Sequence, residues 1–422
     1  MAGQQRTSAT PGRQSVKVLL PVLLAFPLSG IAAELSFKGM ADLRLSHTDA
    51  EDSYVNGGIG KFRYNEGSQL SVAQAAISAK VDWNENLSLT AVGNGFADGV
   101  EDAFGLTELY LKYRSLPSEN GLRHTIRAGA FYPAISLENT GTAWSTTRTL
   151  TPSTLNSWIG EEIRLQGIEY QLENLGKFNQ RDYDLRFRSA LFWNNDTAGA
   201  LLAWHGWTQS SRQTLLHEKL VLPDFPARQG DLAEQAALSD PFHEEDDRAG
   251  FMLSLEAHWP RKGMVQLGYY DNRGQPYTVD EGNYGWDTRF LFSGFQYRLS
   301  PSWQISGQLM SGDTLMQSPL RQDVVNNRFD SAYLMLSWRK GSHLLTGRAE
   351  AFQVDDRDNT VGDNNNEEGY GATLSYRYRY NKQWFLFAEY NYLNSDRAAR
   401  QYTNIDTEQT EQQLQFGSRY YF

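Results

Sequence analysis

The sequence predicts an all-β protein, a transmembrane antiparallel up-and-down β-barrel of about sixteen strands. Three observations support this fold: alternating apolar and polar residues, alternating short and long connections, and tryptophans beside the short connections. The alternating segments lie at about 34–47, 68–82, 86–97, 104–115, 122–132, 160–174, 182–195, 248–259, 263–273, 286–299, 303–313, 328–339, 343–354, 368–381, 384–394 and 409–422. Most are long enough for a tilted membrane-crossing strand, which takes roughly 9–11 residues. One misassigned hairpin would change the count to fourteen or eighteen.

The final segment illustrates the alternation. Leu414, Phe416 and Tyr420 share one parity, whereas Gln413 and Gln415 share the other. Because side chains alternate between the two faces of a strand, one face is apolar and the other is polar. We expect the apolar face to meet lipid, the polar face to line a lumen, and the edge to pair with the first segment.

The connections between segments alternate in length. The short ones hold two to seven residues, as at Asn84-Glu85 and 340–342. The long ones are 48–67, 133–159, 196–247, 274–285, 314–327, 355–367 and 395–408. Short turns on one side and long loops on the other are typical of outer-membrane barrels, whose long loops are extracellular.

Five tryptophans each lie beside a short turn. They are Trp83, Trp259, Trp303, Trp338 and Trp384. Aromatic rings prefer the boundary between hydrocarbon and headgroups, so this pattern indicates an aromatic girdle at one membrane surface.

The bulk composition excludes several classes of function. The chain has 422 residues and no cysteine, so no disulfide or thiolate metal site is available, and its net charge of −11 argues against a general nucleic-acid binder. No EF-hand spacing is present, and we assign no metal and no cofactor. The seven histidines are scattered without a nucleophile elbow or a zinc motif, which argues against an enzyme.

The first 33 residues have the layout of a secretory signal peptide. A polar, basic stretch precedes the apolar segment 18–31, and Ala32-Ala33 offers small residues for cleavage. We therefore expect export to a bacterial outer membrane, with a mature barrel at 34–422. The terminal aromatic Phe422 resembles the signal that the outer-membrane assembly machinery reads.

The polar parity of the segments carries an excess of basic residues. The candidate pore-lining cations are Lys38, Arg44, Arg123, Arg127, Arg164, Arg186, Arg188, Arg289, Arg348 and Arg377. A charged lining selects solutes electrostatically, and the planar guanidinium matches carboxylate and phosphate. The alternative is that these arginines pair with lumen acids and only keep the interior hydrated.

The connection 133–159 differs from an ordinary solvated loop. It contains Pro133, Glu138, Trp144, Arg148 and Trp158, together with a helix-start signal at Thr151-Pro152. Two tryptophans in a loop indicate packing. We expect the loop to fold into the lumen and narrow it; the alternative is a surface loop that covers a neighbouring subunit.

The segment that leads into this loop reads Arg127-Ala128-Gly129-Ala130-Phe131-Tyr132-Pro133-Ala134-Ile135-Ser136-Leu137-Glu138. It resembles the strand-to-third-loop signature of the phosphate-selective (O/P-type) porins. That signature runs roughly Gly-x-Phe-x-Pro-x-x-Ser-Leu-Glu. Its counterparts within 127–138 are Gly129, Phe131, Pro133, Ser136, Leu137 and Glu138. The family's usual lysine after the glycine is Ala130 here, and its following Glu-Arg-Ser element is not evident.

The wider resemblance is to sixteen-stranded trimeric porins and covers 34–422 by architecture. It implies a homotrimer and a constriction by the third loop, without transferring phosphate selectivity. We therefore expect a passive diffusion channel that favours small anions, surrounded by outer-membrane lipid and lipopolysaccharide. A specific export or uptake barrel for an acidic oligosaccharide and, less favoured, a barrel enzyme are the alternatives.

Overall fold

The computed structural model describes residues 33–99 and 103–422, and within them sixteen strands form one closed antiparallel barrel. The signal peptide predicted for residues 1–33 lies outside the described residues, apart from Ala33. The strands are β1 Glu34–Thr48, β2 Gly67–Asp82, β3 Leu87–Gly95, β4 Phe104–Arg114, β5 Leu122–Phe131, β6 Leu165–Asn174, β7 Asp184–Trp193, β8 Gly250–Trp259, β9 Gly263–Asp271, β10 Asp287–Arg298, β11 Trp303–Gln317, β12 Asp323–Lys340, β13 His343–Asp356, β14 Glu367–Arg379, β15 Trp384–Arg397 and β16 Glu408–Tyr421. The predicted fold class and the predicted count of sixteen are confirmed.

The barrel closes by pairing its first and last strands. Met40 lies opposite Tyr421 and Thr48 lies opposite Gln413, with the register unbroken between them. Phe422 extends the pairing, because its backbone N–H and carbonyl both bond to Gly39, at 3.1 and 2.9 Å. Every strand of this barrel is therefore paired on both edges, as a membrane-spanning sheet requires.

Each predicted segment overlaps one strand, but several boundaries differ. The strand predicted at 303–313 continues to Gln317, and the strand predicted at 328–339 already begins at Asp323. The segment predicted at 160–174 begins with the end of a helix, α1 Thr154–Glu162, and the strand starts only at Leu165. The helix forms because Ser153 caps it, its side chain accepting a hydrogen bond from the Asn156 backbone N–H. Pro152 directly before the cap fits the helix-start signal of the sequence.

The outer face of the barrel is apolar and exposed. Leu255 is 61% exposed and Leu374 is 55% exposed, on strands whose neighbouring residues point inward. All five tryptophans predicted for the girdle lie on the outer face, beside short turns, and the rings of Trp303 and Trp338 pair across two strands at 6.3 Å. Their role as a girdle stays a prediction.

The inner face differs between the two ends of the barrel. Near the long loops, aromatic side chains from the wall form a core with residues of two inserted loops; examples are Phe192, Tyr270, Phe290, Phe329 and Phe352. Near the short turns, the inner face carries charged side chains instead. Within the described ranges, no helix is long and apolar enough to cross a bilayer.

Candidate functional site

The connection between β5 and β6, residues 132–164, folds into the barrel and reaches the opposite wall. The carbonyl oxygen of Ile135 accepts hydrogen bonds from Gln266 on β9, at 2.6 Å, and Gln308 on β11, at 2.9 Å. Farther along the loop, the Leu150 and Thr151 backbone N–H groups donate to Glu389 on β15, at 2.5 and 2.9 Å. We call this segment the inward loop.

Glu138 connects the inward loop to the wall and to helix α1. It receives hydrogen bonds from Ser153 and from the Asn156 side chain, at 2.5 and 2.6 Å. Arg348 on β13 pairs with Glu138 at 2.9 Å and with Glu350 at 3.1 Å, and all three charged groups are buried. A buried cation held between two carboxylates fixes the loop at this point.

The residues that carry the family resemblance each have a local structural role. Gly129 has a backbone φ of +133°, which side chains disfavour, and Phe131 is fully buried. The Ser136 hydroxyl accepts the Glu138 backbone N–H at 3.2 Å, turning the chain so that Glu138 faces Arg348. The Leu137 backbone N–H donates to Gln308 at 2.8 Å. The motif therefore encodes the strand end, the turn and the attachment to the wall.

A second ion-pair cluster attaches the inward loop where the barrel closes. Asp42 on β1 pairs with Arg44 at 2.8 Å and with Arg419 on β16 at 2.7 Å. Both arginines also donate to the loop, Arg44 to the Leu150 carbonyl at 3.1 Å and Arg419 to the Thr146 carbonyl at 2.6 Å. The loop thus bridges strands that are far apart in sequence.

The remaining residues predicted for the constriction lie along the same loop. Trp144 stacks on Tyr132 with ring centroids 4.0 Å apart, Pro133 is buried, and Trp158 is fully enclosed in the core. The Arg148 side chain donates to Gln304 of β11 at 2.6 Å. The structure brings these residues into the lumen, and their role as a constriction stays a prediction.

The densest predicted cluster of basic residues is neutralised by carboxylates. Arg123 and Arg186 both pair with Glu173, at 2.6 and 2.8 Å, and Arg186 also pairs with Glu256. In the same sector, Arg127 pairs with Glu169 at 2.8 Å and Arg188 with Glu256 at 3.0 Å. We call this wall, on β5 to β8, the paired sector. Sequence reasoning missed two of its acids, Glu169 and Glu173, because 160–174 is one of the three segments in which the alternation is least regular, with 86–97 and 286–299.

A different part of the wall carries basic residues without carboxylate partners. Arg298 ends β10, Arg339 lies near the end of β12, and Arg377 lies near the end of β14, all on the lumen parity at the short-turn end. Arg148 of the inward loop lies nearby, and the pKa of its guanidinium is lowered by burial and by the charges of Arg339 and Arg298. Arg377 donates to the Thr147 carbonyl and interacts electrostatically with Arg339 and Arg148. Among the described ion pairs, none involves these four arginines, which we call the basic sector.

Arg298 and Arg339 were not among the predicted pore residues. They sit beside short turns, where the alternation is hardest to follow. The alternation in the sequence would have placed both residues in the lumen. Arg298 shares its parity with the inward-facing Gly294, and Arg339 shares its parity with the buried Ser337.

Two predicted pore residues are not on the lumen wall of a strand. Arg164 precedes β6, where it donates to the Thr107 carbonyl at 2.5 Å and its guanidinium lies 3.6 Å from the Tyr132 ring centre. Arg289 is exposed on the outer face of β10, sharing its parity with the exposed Leu291, so the prediction that it lines the pore is wrong. Lys38 lies on the lumen parity of β1, exposed near the short-turn end.

Part of the connection predicted as an extracellular loop at 196–247 also lies inside the barrel. Its helix α2, Ala200–His205, is entirely buried, and Trp207 packs edge-on against Trp158 at 6.0 Å. Three carboxylates of the same connection, Asp196, Glu244 and Asp246, have oxygens within 4.8 Å of one another, an arrangement that could hold a cation.

The contact between α1 and α2 contains buried carboxylates. Glu162 accepts hydrogen bonds from the Trp158 indole N–H at 2.5 Å and from the Leu201 backbone N–H at 2.8 Å, and Glu161 accepts one from Thr208 at 2.9 Å. Burial raises the pKa of Glu161 to about 8 and that of Glu162 to about 7.

No protein-family model matches the chain, and no curated protein matches it in sequence. Solved structures do match it. The outer membrane channel DcaP of Acinetobacter baumannii has a TM-score of 0.55 at 10% identity, over 92% of this chain and 97% of that chain. An anion-selective porin from Comamonas acidovorans has a TM-score of 0.53 at 14% identity, over 92% of this chain and 100% of that chain.

A loop L8 deletion mutant of OmpT, an outer membrane protein of Vibrio cholerae, has a TM-score of 0.51 at 11% identity, over 93% of this chain and 100% of that chain. At identities this low, the structural matches establish the fold alone. The narrower resemblance to the phosphate-selective porins stays a prediction that rests on residues 127–138. The chain has the closed sixteen-stranded barrel fold of the outer-membrane porins.

Proposed function

We propose that this protein is a porin of a bacterial outer membrane, a passive diffusion channel for small hydrophilic solutes that favours small anions such as phosphate. The basic sector is the observation that carries this proposal. Its four arginines lie together at the short-turn end of the lumen, beside the inward loop, whereas the arginines of the paired sector are neutralised by glutamates.

The physical argument is electrostatic. A guanidinium stays charged at every physiological pH and forms a planar fork that fits phosphate or carboxylate oxygens. Arg148 and Arg377 already donate to Gln304 and to the Thr147 carbonyl, which orients both groups. A water-filled passage with low-dielectric walls focuses the field of such charges and raises the local concentration of anions.

The test is reversal potential in a planar bilayer under a potassium chloride gradient. We expect a potential of the sign that reports chloride preference. The triple variant Arg298→Gln, Arg339→Gln and Arg377→Gln should lower the ratio of anion to cation permeability several-fold, because it removes three of the four charges of the basic sector while leaving the paired sector intact.

A matched control removes one positive and one negative charge, so the net charge of the lumen wall does not change. The double variant Arg127→Gln and Glu169→Gln deletes both members of one ion pair, so the permeability ratio should stay close to that of the unmodified protein. Cation preference in the unmodified protein, or an unchanged ratio in the triple variant, contradicts the anion proposal. Absence of conductance under all conditions contradicts the channel proposal.

We propose in addition that the protein assembles as a homotrimer in contact with lipid and lipopolysaccharide, with the inward loop as the constriction. The exposed apolar outer face fits contact with lipid, and the hydrogen bonds of the inward loop to the opposite wall fit a constriction. Cross-linking of the protein extracted in mild detergent should give a band of three chains. A single-chain band at every cross-linker concentration contradicts the trimer.

A further inference from the structure

Two neighbouring short turns carry lysines without acidic residues beside them. The turns are 340–342, between β12 and β13, and 380–383, between β14 and β15. Although 50 of the 422 residues are acidic, the stretches 331–349 and 369–388 contain no Asp or Glu. The two turns lie side by side, because the Arg379 backbone N–H donates to the Ser342 carbonyl at 2.9 Å. Lys340 and Lys382 are exposed, and neither takes part in an ion pair within the described ranges.

Short turns elsewhere on the barrel do place acids beside their lysines. Lys262, between β8 and β9, pairs at 3.3 Å with Asp182 of the neighbouring turn 175–183. Lys177 belongs to that same turn, and both lysines are exposed. The positive charge of 340–342 and 380–383 therefore has a local cause, the absence of acids from these two turns and from the strands beside them.

The outer face between Lys340 and Lys382 is aromatic. His343 lies opposite Lys340, and its Nδ1 shares a hydrogen bond of 2.6 Å with the Tyr376 hydroxyl. The His343 ring lies 5.2 Å from that of Tyr378. Tyrosine rings prefer the level of the lipid headgroups. We define the rim patch as Lys340, His343, Tyr376, Tyr378, Tyr380 and Lys382.

Two strands of this region show the same order of outer side chains toward the short turns. An exposed leucine comes first, a ring follows, and a lysine comes last. This order is Leu345, His343 and Lys340 on β13 and its turn, and Leu386, Trp384 and Lys382 on β15 and its turn. A phospholipid has the matching order of acyl chain, ester region and phosphate. A dissolved anion would meet only the lysines, so the arrangement favours a lipid.

We propose that the rim patch binds the headgroup of an anionic phospholipid. The ammonium groups of Lys340 and Lys382 pair with phosphodiester oxygens, the rings pack at the ester level, and the leucines contact the acyl chains. Because the long loops of such barrels are extracellular, the lipid belongs to the periplasmic leaflet. The inference rests on the proposed outer-membrane location and names a partner that the location leaves open.

The charge of the headgroup decides which phospholipid binds. Phosphatidylglycerol has a phosphodiester and no amine, so its negative charge is available to both lysines. The headgroup of phosphatidylcholine carries its own cation, which already neutralises the phosphate. Each lysine or arginine near an anionic lipid surface strengthens binding by roughly fivefold. The rim patch should therefore select phosphatidylglycerol.

Native mass spectrometry of the folded barrel provides the first test. The protein in mild detergent is offered equal amounts of phosphatidylglycerol and phosphatidylcholine with the same acyl chains. We expect the bound lipid to be mainly phosphatidylglycerol. The double variant Lys340→Gln and Lys382→Gln should lower the ratio of the two bound lipids at least about tenfold.

A matched control removes the same charge from the other turns. The double variant Lys177→Gln and Lys262→Gln changes two exposed lysines at the same end of the barrel, and the lipid ratio should stay close to that of the unmodified protein. Heat-modifiable migration verifies that both variants are folded. An unchanged ratio in the rim-patch variant, or an equal fall in both variants, overturns the site.

Amine labelling provides a second test that uses the unmodified chain. The protein is placed in nanodiscs of phosphatidylglycerol or phosphatidylcholine and treated with a water-soluble acylating reagent, and each lysine is quantified. Labelling of Lys340 and Lys382 is normalised to that of Lys177 and Lys262, which cancels repulsion of the reagent by the anionic surface. We expect several-fold lower normalised labelling in phosphatidylglycerol. Equal normalised labelling in the two lipids overturns the proposal.

Two further comparisons separate this inference from other outcomes. If inorganic phosphate protects Lys340 and Lys382 equally well in phosphatidylcholine nanodiscs, the occupant is a dissolved anion and the lipid assignment is overturned. Neither measurement depends on current through the barrel. A conducting protein without lipid preference overturns only the lipid site, whereas lipid preference without conductance overturns only the channel.

Discussion

Glu138 illustrates how one buried side chain determines the path of a loop. Its carboxylate joins Ser153, Asn156 and Arg348, so a single residue connects the turn, the start of α1 and the far wall. A buried carboxylate is tolerated only when charge and hydrogen bonds compensate its lost hydration, and Glu138 has both.

Removal of Arg348 should therefore release the inward loop. Arg348→Met leaves Glu138 and Glu350 buried without their cation, and breaking such a pair costs about 3–5 kcal/mol. We expect faster proteolysis within 133–159 and a lower midpoint of denaturant unfolding. Arg357→Met is the control, because Arg357 is 41% exposed in its ion pairs and such pairs contribute about 0–1 kcal/mol. Equal stability of the two variants would contradict this role of Arg348.

At the scale of elements, two glycines allow adjacent strands to lie close together: Gly129 lets β5 approach β4, and Gly167 lets β6 approach β7. Gly129 and Gly167 lie opposite each other on β5 and β6. A Cβ atom added to Gly129 would lie 2.2 Å from the Leu109 carbonyl oxygen, and one added to Gly167 would lie 2.0 Å from the Leu191 carbonyl oxygen. Both contacts are with backbone atoms, which cannot move away by a change of rotamer as a side chain can.

Gly129→Ala should hinder assembly of the barrel. Its φ of +133° is strained for alanine, and the added methyl group meets the β4 backbone. We expect a clear drop in the fraction that migrates as the heat-modifiable, folded form in detergent gels. Gly347→Ala on β13 adds the same methyl group where nothing lies within 4 Å, so it should fold normally. Equal folding of the two variants would contradict a steric requirement for glycine at position 129.

At the scale of the whole molecule, closure depends on β1 and β16, whose residues are separated by almost the entire chain. The ion pair of Asp42 with Arg419 joins these strands inside the barrel, and the Phe422 backbone joins them at the short-turn end. Contacts between distant parts of a chain carry an entropy cost of loop closure before they contribute stability, so we expect assembly to be sensitive to changes at this seam.

Deletion of Phe422 should lower the yield of folded barrel in the membrane. It removes two backbone hydrogen bonds to Gly39 and the ring that covers this glycine. We expect less heat-modifiable protein in the membrane fraction and more unfolded chain. Phe422→Tyr keeps the backbone bonds and an aromatic ring, so it should assemble as the unmodified chain does. Normal yield after deletion would show that Phe422 has no part in assembly.

Sequence alone determined the sixteen strands, their outer faces and the position of the inward loop. These features follow from local physics: side chains alternate along a strand, lipid requires an apolar face, and turns require short polar stretches. The same reasoning identified Glu138 and Trp158 as parts of a packed loop. It failed at 160–164, where a capped helix replaces the expected strand, because a few residues of alternation do not distinguish the two.

Only the tertiary structure decided which charges are free and which half of the lumen is filled. Arg186 and Arg298 are both arginines on the lumen parity of a strand. Arg186 nevertheless pairs with Glu173 and Glu256, whereas Arg298 lies near other arginines. Pairing depends on residues of neighbouring strands and on their register, which no single segment encodes. The burial of α2 depends likewise on wall aromatics that arrive from strands throughout the barrel, so this packing is a property of the closed barrel.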